Sequence, residues 1–140
     1  MPSLRSLSFV ALAGSLVGCM QAAQTYALKA SSPQAGAGMT GQVSVERIEG
    51  GQKLVVLQLE QLPPPERLAP GLREYVVWLQ DPRGAAVKVG TLDYDRAHQS
   101  GNLLATTDLP TFTVQVTGER DASASQPSGV LLAERNVLTH

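Results

Sequence analysis

Between Thr111 and Thr117 the residue type switches at every step: Phe112, Val114 and Val116 are apolar, while Thr111, Thr113, Gln115 and Thr117 are polar. Successive side chains of an extended chain point to opposite faces, so a period of two places one face in a core and leaves the other wet. The same period runs through Gln42 to Glu46, with Val43 and Val45 on one face, and through Lys53 to Glu60, with Val55, Leu57 and Leu59 together. No helical period of useful length competes with it. A chain patterned this way buries its apolar residues only by pairing strands, so an all-β body is expected.

The breaks between these runs have matching chemistry. Gly50-Gly51 separates two alternating runs and predicts a hairpin, because glycine enters positive φ without steric cost. Asp81-Pro82-Arg83-Gly84 has the residues of a tight turn. Leu62-Pro63-Pro64-Pro65-Glu66 cannot continue a central strand, since proline offers no ladder donor; a stiff polyproline II crossing between two sheets is expected there. Ser31 to Gly38, Asp93 to Gly101 and Gly118 to Gly129 read as loops. Tyr26 to Ala30, Arg73 to Gln80, Ala86 to Leu92, Asn102 to Thr106 and Val130 to Ala133 supply the remaining strands. Seven or eight short strands at this spacing predict an antiparallel β-sandwich, immunoglobulin-like in plan, over residues 26–140. Trp78, the only tryptophan, is expected to fill the gap between the two sheets and to border any ligand pocket there.

Ahead of this body the chain is different. Arg5 and the amino terminus make a short positive region, and Leu7 to Gly18 is uncharged. At roughly a dozen residues this run suits a signal peptide, whereas a bilayer span needs about 20. Its last residues, Leu16-Val17-Gly18-Cys19, resemble the bacterial lipobox at every position. That resemblance implies diacylglyceryl transfer to the Cys19 sulfur, cleavage after residue 18, and acylation (palmitate or a similar chain) of the new amine. Residues 19–25 then form a lipidated cysteine and spacer. An ordinary secretory signal cut near Ala22 or Ala23 is the competing reading. Cys19 is the only cysteine, so the chain holds no internal disulfide. Two or more acyl chains anchor a protein stably where one is marginal. The expected address is therefore a bacterial membrane, with Met20 in place of a retention-type aspartate favouring the outer membrane, facing the periplasm or the cell surface.

Formal charge is −1, with acids and bases mixed, so neither nucleic acid nor anionic lipid is an expected electrostatic partner. Catalytic chemistry finds little support. The histidines are His98, in a polar loop, and the terminal His140, and there is no Gly-x-Ser-x-Gly elbow, phosphate loop or zinc-type cluster. Asp93 and Asp95 flank Tyr94 and would need a third acid to hold calcium; a blue-copper site would need a cysteine inside the fold. No catalytic residue, metal or cofactor is expected. Trp78, Asp93, Asp95 and His98 remain as candidate interaction or pocket residues.

Four segments together resemble the extracytoplasmic C-terminal domain of anti-sigma-K factors: Tyr75-Val76-Val77-Trp78-Leu79, Gly90-Thr91-Leu92 followed by Asp93 and Asp95, Phe112 to Thr117, and Gln126-Pro127-Ser128-Gly129-Val130-Leu131-Leu132. In that resemblance Glu119 stands for a family glutamate and Ser128 for a threonine, while the family's Gly-Gly is missing. It implies a sensing or protein-interaction module, without the sigma-binding helical domain or the membrane helix of those regulators. The expected function is a non-enzymatic envelope lipoprotein that binds another envelope protein. A small-ligand-binding lipoprotein and a structural accessory subunit of an envelope complex are the alternatives.

Overall fold

The structure is a computed structural model that describes residues 23–31 and 38–138. Cys19, with the rest of the lipobox and signal peptide, lies outside the described residues, as does most of the expected loop after Ser31.

The described residues form β1 (Gln24–Ala30), β2 (Thr40–Arg47), β3 (Lys53–Glu60), the short helix α1 (Pro65–Leu68), β4 (Glu74–Gln80), β5 (Ala86–Thr91), β6 (Asp93–Asp95), β7 (Ser100–Thr107), β8 (Thr111–Glu119) and β9 (Val130–Leu138). All nine strands are hydrogen-bonded into one antiparallel series, in the order β5-β4-β8-β9-β1-β2-β3-β7-β6. The count exceeds the expected seven or eight because Asp93–Asp95, read as loop, pairs with β7 through Asp93↔Asn102 and Asp95↔Ser100.

Two partner changes bend the series into a nearly closed sheet. β1 pairs with β2 from Gln24 to Leu28 and then with β9 at Lys29 and Ala30. β5 and β6 are separated only by Leu92, yet β5 pairs with β4 and β6 with β7. The two edges of the series are thus consecutive pieces of one extended segment, and Leu92 N–H donates to Tyr75 O (2.8 Å) at the transfer point.

The alternating residues do what their period requires. Val43, Val45, Val55, Leu57 and Leu59 face Tyr75, Val77, Leu79, Phe112, Val114 and Val116 across one continuous core. The Gly-Gly hairpin forms between β2 and β3, with Arg47↔Lys53 closing it and both Gly50 (φ 81°) and Gly51 (φ 80°) at positive φ. The proline segment departs from expectation. Pro64 is extended (φ −56°, ψ 144°), but Pro65 opens a one-turn helix, where its missing N–H costs nothing.

Strand directions give the body two ends. Gln24, Arg47, Lys53, Gln80, Ala86, Thr107, Thr111 and Leu138 lie at the end where β1 starts, with the 48–52, 81–85 and 108–110 connections. The opposite end carries α1 with its flanking segments, the 96–99 turn and the base of the 120–129 loop.

Candidate functional site

The candidate residues separate into two groups. Asp95 and His98 come together, Asp93 stands beside them, and Trp78 is elsewhere.

The first group is built on the β6–β7 turn. Asp95 Oδ1 accepts the amides of Ala97 (3.0 Å) and His98 (3.2 Å), and Oδ2 meets His98 Nδ1 at 2.7 Å. The bond to the His98 ring, followed by those from the turn amides, holds the Asp95 carboxyl below its ordinary pKa. Asp93 is exposed on the same face of β6, whereas Tyr94 points inward. Its ring meets Tyr75 edge-on (centroids 5.6 Å apart, 74° between planes), and its hydroxyl donates to Leu62 O (2.7 Å). Tyr75 donates to Pro63 O, and Leu62 N–H donates to Gln99 O (2.7 Å). Burial, with Tyr94 as neighbour, raises the Tyr75 pKa, so both phenols stay neutral donors. Arg96 closes the arrangement with a two-pronged pair to Glu66 on α1. The turn is therefore pinned to the proline segment by four side chains and a backbone bond, which makes the 61–68 and 93–101 stretches one surface.

That surface continues sideways. Arg73 N–H donates to Glu119 O (2.9 Å), and Gly71 packs near the Arg120 guanidinium. Turn, proline segment and the start of the 120–129 loop are contiguous. Arg67, Arg73, Arg96 and Arg120 all stand exposed on this end. Among the described residues no group of three or more His, Cys, Asp or Glu is arranged to hold a metal ion.

Trp78 corrects the expectation for it. On β4, Tyr75, Val77 and Leu79 enter the core, so Val76 and Trp78 lie on the outer face, level with Thr117 and Gln115 of β8. Trp78 is nonetheless fully buried (0 % exposed). Its indole N–H donates to Thr117 Oγ1 (2.8 Å), and Thr117 donates to Glu119 Oε1 (3.0 Å). The same carboxylate accepts the amides of Ser128 (2.9 Å) and Gly129 (3.0 Å) at Oε1 and the Ser128 hydroxyl (3.0 Å) at Oε2. Desolvation acts to raise the Glu119 pKa, but these four donors outweigh it and hold it below 4.5. The 120–129 loop is thus folded back over the outer face, where Lys88 on β5 also ties it by donating to Ala122 O. Thr117, expected to be wet, is 2 % exposed for the same reason. Gly118 and Glu119, read as loop, end β8.

Surface recesses lie on this outer face and also on β2 and β3, at Thr40, Gly41, Gln42, Gln58 and Glu60. One of 560 Å³ is lined by Gln80, Gly84, Ala85, Ala86, Gln115, Gln126 and Pro127, and Gln115 donates to Gln80 within it (3.2 Å). The chain matches no protein-family model, no curated protein and no solved structure. Sequence reasoning attached Glu119 and Ser128 to a resemblance but missed that they touch. The available signal was a carboxylate two positions beyond Thr117 on the outer face, ahead of a Ser-Gly pair.

Proposed function

We propose that this chain is a bacterial envelope lipoprotein, anchored by acyl chains on Cys19, whose all-β body is a non-enzymatic module for binding another envelope protein. Within this proposal the body works as an immunoglobulin-like sandwich, with β1 and the β5–β6 segment passing between its layers. The observation that carries the interaction reading is the pinned surface of Asp93 to Gly101 against α1. Six ordered polar groups hold an exposed, arginine-bearing turn in one shape, and preorganisation of this kind lowers the cost of binding. Arginine is also over-represented at the centres of protein interfaces. The link between Glu119 and the Ser128-Gly129 pair supports the anti-sigma-like resemblance, since it joins two of the elements on which that resemblance rests.

A small-ligand pocket beside Trp78 receives no support, because the indole is 0 % exposed and its N–H is taken by Thr117. The polar recess at Gln80 and Gln115 is the place to test for a ligand-binding alternative.

The test has two readouts. Intact mass of the membrane-extracted protein should show acyl chains on the peptide starting at Cys19, absent in Cys19→Ser. Capture of the acylated protein from detergent extract should bring down a stoichiometric envelope protein, and Arg96→Ala should weaken that capture. Repeated recovery of the domain alone would sink the interaction reading.

A further inference from the structure

The chain enters the folded body at Gln24, the first residue of β1, and the register of every strand places that residue on one rim. Gln24 is opposite Val45, just before the Gly50-Gly51 hairpin, and Tyr26 reaches across to donate to Leu138 O (2.8 Å) near the end of β9. The same rim carries the 81–85 turn and the 108–110 connection. An attachment at Cys19 therefore leaves five peptide steps before Gln24, at most about 18 Å of fully extended chain. Strands of eight residues, such as β2 and β3, run about 26 Å from rim to rim. A tether that short cannot let the body turn over freely.

The rim has a second property that points the same way. Val87, Leu104 and Leu138 are the large apolar side chains left exposed among the described residues, at 56 %, 66 % and 53 %. Two of them, Val87 and Leu138, sit at this rim, and Pro82 is exposed between them in the 81–85 turn. Arg47, Glu49, Arg83 and Asp108 are exposed on the same rim, whereas the opposite end exposes Arg67, Arg96, His98 and Arg120 and none of these three large apolar side chains.

We infer that the rim bearing the 48–52 and 81–85 turns rests against the bilayer surface, so that the Asp93 to Gly101 turn and α1 are held out at the end farthest from the lipid. This rests on the lipoprotein reading and adds an orientation to it. Val87, Pro82 and Leu138 meet the headgroup region, and the pinned surface faces an approaching partner.

The mature acylated protein, extracted and reconstituted into phosphatidylethanolamine and phosphatidylglycerol vesicles, tests this directly. Acylated Cys19 has no free thiol, so a fluorophore can be placed singly at Gln52→Cys, Arg83→Cys or Arg67→Cys. A nitroxide on the lipid headgroup is expected to abolish most emission at positions 52 and 83 and to leave position 67 at its nitroxide-free level. Equal loss at all three sites, or greater loss at 67, overturns the orientation. Intact mass of the same samples separates the two failures. Acyl mass with the wrong quenching pattern rejects the orientation alone, and absence of acyl mass rejects the lipoprotein reading along with it.

Discussion

Ser128 gives both its backbone amide (2.9 Å) and its hydroxyl (3.0 Å) to the carboxylate of Glu119, nine residues earlier and 2 % exposed. A buried carboxylate without a cation is tolerated here because four donors surround it, and the last of them belongs to the hydroxyl that receives the Trp78 indole. One acid thereby decides whether the 120–129 loop lies on the sheet or leaves it.

Removing that acid should release the loop. Glu119→Ala leaves the amides of Ser128 and Gly129 and the Thr117 hydroxyl without an acceptor, and a buried donor left unpaired costs about 1–3 kcal/mol. A loss of order 3 kcal/mol is expected, read as a lower denaturant midpoint at nearly constant slope. Glu119→Gln should lose less, because its amide oxygen still accepts.

The same site gives a pH dependence with a defined sign. The folded-state pKa of Glu119 is depressed below 4.5. Its contribution to stability is therefore complete above the unfolded-state value and is lost as pH falls through the folded one. Glu66, Asp95 and Asp121 shift in the same direction but are exposed, so solvent and salt screen them. Chemical denaturation between pH 7 and pH 3 should show a steeper decline below about pH 4.5 in the native protein than in Glu119→Gln.

Gly129 offers a steric test of the closed loop. A Cβ there would fall 1.8 Å from Gly118 O and 2.8 Å from Glu119 Oε2, and the first of these is backbone. Gly129→Ala must displace the loop, and overpacking of this kind typically costs about 1–3 kcal/mol. Because Trp78 is the only tryptophan and fully buried, its fluorescence reports the event. Emission should move to longer wavelength and become quenchable by acrylamide, whereas the native protein should resist quenching.

Arg96 and Glu66 make a contrasting pair. Both are exposed (60 % and 48 % at the side chain), so their ion pair should add little to global stability. Arg96→Ala is expected to melt with the native protein while amide exchange in residues 96–99 accelerates. A large drop in melting temperature would mean that this pair supports the whole fold and does not merely shape the turn.

What the chain determines by itself is local. The period of two in residues 42–46, 53–60 and 111–117 is enough to specify strands and their inward faces, because pleating assigns each side chain a face without reference to anything distant. Gly50 and Gly51 likewise announce their hairpin, since positive φ is a property of the residue. Tertiary structure decided the rest. Trp78 lies on a face that alternation marks as outward, and it is buried only because a loop some forty residues later folds over it and is held by Glu119. Asp93–Asp95 becomes a strand only because β7 stands beside it, and one residue, Leu92, sends the chain from one edge of the sheet to the other. Such contacts depend on which segments meet in space, and no local pattern encodes that meeting.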